Sequence, residues 1–288
     1  VDFNSCMAIN AAHMSALGDI LNDKDLSFQY KKMYFSLKTR INSLMWDNET
    51  GFYHDLDKNE ARLPQKTIAG FWPLLAELPN ADRADVLIAH LSNSQTFGTD
   101  HPFPTLSADS PDFKESGEGF KGSVLAPFNF MVIKGLEKYQ RYAFARECAI
   151  RHLYYILEAL SPVDSKQKGD LYEAYLPCKE GPAACRSDSE FPKRRYLHYT
   201  GLSTIALMIE NVIGLNISLP RKTVDWVIPN LEIMGIEKLS LKRNLITILS
   251  NKAGKSRWKA KNSITLLSIF LTRRKRHFRF RRASVQCL

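Results

Sequence analysis

Apolar residues recur at helical spacing along most of the chain, and the connections between helical stretches alternate between short and long. Met7, Ala11, Met14, Leu17, Ile20 and Leu21 mark a first amphipathic helix over 1–21. Asp25 reads as the cap of a second helix running to Leu44, with Phe28, Met33, Leu37, Ile41 and Leu44 on one face. Trp46 to Asp57 contains a turn at Asn48–Gly51 and reads as a short hairpin. Further helices are expected over 67–77, 82–91, 124–139, 143–160 and 201–213. Two long loops, 94–123 and the stretch between 160 and 201, exceed what a plain connection needs. Helical hairpins stacked in a ring, with long loops gathered on one rim, satisfy this pattern. The fold class is therefore all-α, with a small C-terminal β segment after Pro220 at 223–228, 236–241 and 245–249.

Three parts follow. Residues 1–218 are the helical domain, 219–262 a short β-rich appendage, and 263–288 a basic tail expected to be disordered or aberrant. The tail misleads the overall charge of +10. Residues 251–288 hold twelve Lys or Arg and no acid, so 28 basic and 30 acidic residues remain in 1–250, a net −2. Nothing in that body calls for a polyanion, so no nucleic-acid partner is expected. No run approaches the roughly 18 apolar residues of a membrane helix, so no membrane partner is expected either. Val1 in place of Met reads as a processed chain or a piece of a longer one. No compartment is assigned.

Cofactor and metal motifs are missing from the sequence: no HExxH, CxxC, GxGxxG, P-loop or GxSxG occurs, so no cofactor is called. Cys6, Cys148, Cys178, Cys185 and Cys287 are an odd, scattered set, and Cys178 and Cys185 read as free thiols rather than a local bridge.

Glycoside hydrolysis needs a proton donor and a second carboxylate, placed near aromatic rings on which sugars stack. Glu173 in "LYEAYLP", between Tyr172 and Tyr175, is the leading candidate: aromatic neighbours that exclude water raise a carboxylate's proton affinity. A surface Glu in a tyrosine-containing loop is the plainer account, and both stay open. The 94–123 loop and the helix after it offer Phe103, Ser107, Asp109, Asp112, Phe120, Lys121 and Asn129 as hydroxyl-binding or stacking residues, or as turn formers.

Seven segments in order carry a resemblance: "VDFN", "GFYHDLD", "TIAGFWPLLAEL", "FPTLSADSPDF", "GSVLAPFNFMVIKGLEKY", "LYEAYLP" and "GLSTIALMIENVIGL". Together, over about residues 1–250, they resemble glycoside hydrolase family 63, with the trehalases of family 37 and mannosylglycerate-hydrolase-like domains sharing the plan. The resemblance implies the C-terminal portion of an (α/α)6 toroid and an inverting mechanism on an oligosaccharide or disaccharide, usually an α-linked glucoside or related sugar. It gives Glu173 the role of general base and places the general acid, an Asp, ahead of Val1. Phe120-Lys121, Leu125 and Tyr199 stand where the family often has Trp-Arg, Trp and Trp. Smaller rings weaken sugar stacking, and Lys lacks the fork of Arg. A catalytically inactive carbohydrate-binding or scaffold remnant is the alternative reading.

Overall fold

The computed structural model describes residues 1–161, 169–185, 191–218, 223–228, 234–241, 244–250, 256–260 and 265–271. The chain divides into two compact units, Val1–Thr204 and Ile205–Leu288.

The first unit opens with a helical hairpin, α1 (Asp2–Leu21) and α2 (Lys24–Leu44). The hairpin turns on Asn22, whose left-handed backbone ends α1. Asp23 then caps α2 by accepting from the Leu26 N–H at 3.0 Å. The expected cap, Asp25, instead lies in the first turn of α2, where its charge complements the helix dipole. The seam is close: a Cβ added to Gly18 would lie 2.6 Å from the Ser27 nitrogen. Ser27 Oγ also donates to Asp19 Oδ1 at 2.6 Å.

A two-residue hairpin, β1 (Trp46–Asp47) with β2 (Phe52–Tyr53), follows as expected. The helix expected over 67–77 is instead a 3-10 turn, Ile68–Phe71, running into the short α3, Trp72–Leu75. Pro73 has no N–H to donate and so suits only the first turn of a helix. α4 (Ala81–Ser92) is capped by Asn80, whose side chain accepts from the Arg83 N–H at 3.0 Å. Phe52, Phe71 and Phe97 interlock beneath these elements, with Phe52 stacked on Phe97 and Phe71 edge-on to both.

After the long 94–123 loop, α5 (Ala126–Lys138) and α6 (Tyr142–Leu160) form a second hairpin. α3 bridges the two hairpins by packing on both α1 and α5. Paired helices in this order form part of an (α/α)6 toroid. The helix expected over 201–213 extends from Leu197 to Ile213 as a wide π-helical turn, Leu197–Gly201, α7 (Leu202–Leu207) and a second wide turn, Met208–Ile213. Gly214, at φ +84°, ends it, a backbone setting that favours glycine.

The second unit contains two three-stranded sheets. In one, β3 (Leu215–Ser218) is antiparallel to β4 (Thr223–Ile228), and β4 is parallel to β8 (Thr265–Leu271). In the other, β5 (Gly235–Leu241), β6 (Asn244–Ser250) and β7 (Ser256–Ala260) form a meander. Leu215, Trp226 and Ile248 are the centre of its core, and the Trp226 indole donates to the Ile213 carbonyl at 2.8 Å. β4, β5 and β6 lie at the three expected strands, and β3, β7 and β8 are additional. β8 lies where the basic tail was expected to have begun. The basic stretch 273–282 and Cys287 lie outside the described residues.

Candidate active site

Glu173 sits at a bend in the segment 171–176, which is strapped on both sides. On one side Tyr175 and Val124 exchange backbone hydrogen bonds, each 2.9 Å. On the other, the Tyr196 N–H donates to the Leu171 carbonyl at 2.9 Å, and Thr200 Oγ1 donates to the Tyr172 carbonyl at 3.0 Å. Glu173 itself is fixed twice by one residue. Its N–H donates to the Lys193 carbonyl at 3.0 Å, and the Lys193 N–H donates to Glu173 Oε2 at 3.2 Å.

The side chains of the segment separate. Tyr172 and Tyr175 are buried beneath the loop with Val124, Ala126, Ile156 and Ala159. The Tyr175 hydroxyl accepts from the Tyr172 N–H, and burial pushes its pKa up to about 12. Ala174 packs on the other side with Leu125, Ala183, Phe128 and Phe191. Glu173 stays half-buried. Phe191 carries Phe120 into the same neighbourhood, ring centroids 5.8 Å apart, and Phe120 is 62% exposed. Tyr196 is close enough for the Glu173 charge to help raise its hydroxyl pKa, after burial, and Tyr199 and His198 lie beside Tyr196. An acid on a rigid strap bordered by accessible rings is suited to carbohydrate.

The structure brings Glu173, Tyr172, Tyr175 and, through Phe191, Phe120 together. The remaining sequence candidates are distributed differently. Phe103, Ser107 and Asn129 are interior: the Asn129 amide donates to the Phe103 carbonyl at 3.3 Å, and the Ser107 N–H donates to the Lys66 carbonyl at 3.0 Å. Asp109 is exposed and pairs with Lys66. Burial works to raise its carboxyl pKa, but the Lys66 hydrogen bond and charge outweigh that and hold it below the usual range. Lys121 faces solvent, 3.8 Å from Asp112. Lys193, Phe191 and Tyr196 were not singled out from sequence, although "FPKRRYLHY" concentrates aromatic and basic residues.

Two surface concavities lie elsewhere. One of about 610 Å³ is lined by Phe28, Lys31, Lys32, Phe35 and other α2 residues, and one of about 380 Å³ by Asp100, Ile150, Arg151, Tyr154 and Tyr155. Among the described residues, no three His, Cys, Asp or Glu side chains are grouped as a metal would need. Cys178 and Cys185 are free thiols.

The paired helices that carry this strapped carboxylate are those of the helical-toroid class of folds. The mannosylglycerate hydrolase MGH1-like glycoside hydrolase domain matches residues 1–190, and the trehalase C-terminal domain matches 214–276. The chain belongs to the MGH1-like glycoside hydrolase family. An uncharacterized protein of Borreliella burgdorferi is 55% identical over 262 residues, covering 91% of this chain and 55% of that protein. The mannosylglycerate hydrolase of Thermus thermophilus is 34% identical over 98 residues, 33% of this chain and 23% of the enzyme. The chain thus spans about half the length of the Borreliella protein and less of the enzyme.

Solved structures share the fold. A sialidase superposes with TM-score 0.67 at 16% identity, over 90% of this chain and 25% of that one. The GH63 mannosylglycerate hydrolase of Thermus thermophilus, in complex with Tris, gives TM-score 0.57 at 22% identity, over 72% and 44%. The neutral trehalase of Saccharomyces cerevisiae gives 0.55 at 20%, over 72% and 36%.

Proposed function

We propose that this chain carries the base side of an inverting glycoside hydrolase site for α-linked glucosides or related sugars. Glu173 is the general base. It takes a proton from water as the water oxygen attacks the anomeric carbon, and a second acid protonates the departing oxygen. In an inverting pair that acid stands across the sugar, roughly 6.5–9.5 Å from the base. The observation that carries this reading is the mutual backbone and carboxylate bonding of Glu173 and Lys193, which holds a half-buried acid near Tyr196, next in sequence to Ala174, which packs with Phe191.

Phe120 and Tyr199 provide stacking surfaces, and Lys121, the neighbour of Phe120, provides a polar contact; Asp109 is already engaged by Lys66. The interior candidates Phe103, Ser107, Asn129, Tyr172 and Tyr175 shape the site from behind. Residues 1–218 are the catalytic part and the β-rich remainder an appendage. The names of the relatives make mannosylglycerate and trehalose the first substrates to try.

The test compares the gene product carrying these residues with its Glu173→Gln variant on trehalose, mannosylglycerate and aryl α-glucosides. Loss of hydrolysis in the variant, with product released in the inverted anomeric form, is expected; equal rates overturn the assignment. Binding without cleavage by both proteins, measured by calorimetry, would establish the alternative reading of an inactive carbohydrate-binding remnant.

A further inference from the structure

Two fully buried histidines end in a contact with the Glu173 segment. His101 lies in the long loop and His152 on α6, and His101 Nε2 is 2.8 Å from His152 Nδ1. On its other side, His101 Nδ1 is 3.2 Å from the Leu176 carbonyl oxygen. The His101 N–H donates to the neighbouring Pro177 carbonyl at 2.9 Å. Tyr155 stacks flat on the His101 ring at 4.8 Å, and Tyr175 meets it edge-on at 5.7 Å. Arg151 and Asp100 complete the titratable and charged surroundings. The Arg151 guanidinium donates to the Thr99 and Asp100 carbonyls at 2.6 and 3.3 Å.

Proton placement follows from these contacts. A carbonyl accepts only, so His101 must present N–H at Nδ1. A neutral ring then has a bare Nε2, which can only accept, and His152 must donate from its own Nδ1. His152 Nε2 is left bare, in agreement with its having no hydrogen-bond partner among the described residues. The reverse arrangement sets two lone pairs against each other at Leu176 and buries an unpaired N–H on His152. A doubly protonated ring places a charge in the interior with no carboxylate partner among the described residues. Burial holds both rings below the usual histidine range, His152 at about 3.

We propose that His101 and His152 are positioning residues for Glu173: fixed as neutral Nδ1–H tautomers, they hold the Leu176–Pro177 end of the segment that carries the carboxylate. Lys193 fixes Glu173 directly, and the histidine chain anchors the same segment at Leu176 and Pro177, three and four residues further along. This inference rests on the reading of Glu173 as the base.

The test begins with the full chain labelled with nitrogen-15 at histidine. Both rings are expected to show a protonated Nδ1 and an unprotonated Nε2 near neutral pH; an Nε2–H form on His101 overturns the proposal. His152→Leu removes the donor, whereas His152→Asn keeps an N–H where Nδ1 stood. Amide exchange at His101 and Tyr175 is expected to accelerate about tenfold or more in His152→Leu, with Met45 of the distant hairpin unchanged. His152→Asn is expected to exchange at close to the native rate. Unaltered exchange at Tyr175 in His152→Leu overturns the proposal; should that variant fail to fold, the tautomers of the native chain and of His152→Asn decide. Glu173→Gln leaves the ring tautomers in place. Retained hydrolysis in Glu173→Gln therefore removes the base assignment alone, and a wrong tautomer removes the histidine chain alone.

Discussion

Glu173 and Lys193, twenty residues apart, bind each other through both backbone and side chain: the Glu173 N–H meets the Lys193 carbonyl, and the Lys193 N–H meets the Glu173 carboxylate. The carboxylate can leave that N–H only by releasing a bond, so its direction is set before any ligand arrives.

Glu173→Gln should preserve this geometry, because the amide oxygen still accepts from the Lys193 N–H. Thermal unfolding should therefore match the parent closely. Hydrolysis should drop by about 10²–10⁴-fold, the usual contribution of a general base. Calorimetric melting and an initial-rate assay together separate a chemical loss from a structural one.

Acid should weaken the helical unit through its interior histidines. The folded pKa of His152 is about 3, far below the roughly 6.5 of an unfolded chain. Above pH 6.5 neither state binds the proton, and there is no penalty. As pH falls below 6.5 the unfolded state takes up a proton that the folded state refuses. Stability should fall by about 2 kcal/mol between pH 7 and 5 from His152 alone. Urea midpoints across that range check this, and His152→Asn should flatten the slope.

Removing the Phe97 ring should damage the triple aromatic contact with Phe52 and Phe71. Phe97 is fully buried, and Phe97→Ala should cost about 3–5 kcal/mol. Gly70→Ala should also destabilise, by about 3 kcal/mol, because its Cβ would fall 2.3 Å from the Phe52 ring and 2.8 Å from the Tyr53 carbonyl. Urea unfolding of both variants is the measurement.

The start of α2 offers a paired comparison. Asp23→Ala should cost about 1 kcal/mol by removing the bond to the Leu26 N–H. Asp25→Ala should cost about 0.5 kcal/mol or less, since Asp25 contributes only through the helix dipole. Equal losses would show that Asp23 is not the working cap.

The long helices were legible because α1, α2, α5 and α6 repeat apolar residues over several turns. The cap of α2 was misplaced by two positions, since Asp23 and Asp25 offer the same chemistry and only geometry distinguishes them. α3 broke where local propensity yielded to Pro73 and to the close approach of Gly70 to Phe52. β8 pairs in parallel with a strand some forty residues earlier, and no local pattern announces such a partner. The same holds at the candidate site. "LYEAYLP" drew attention to Glu173, but Lys193 and Phe191 reach it through tertiary pairing, and His101 and His152 meet across 51 positions. A bend at Glu173 also lets Tyr172 and Tyr175, three residues apart, pack together beneath the loop, where sequence proximity had suggested rings flanking the acid.

The near contact of Gly18 with Ser27 gives the first hairpin a useful independence. What clasps α1 to α2 is backbone meeting backbone at a glycine, together with the hydroxyls of Ser15 and Ser27, while Phe28 and Phe35 of α2 remain 71% and 53% exposed. The outward aromatic residues can therefore be exchanged for charged ones without loosening the clasp. Such surface variants offer a practical route to a better-behaved sample that keeps the site residues untouched.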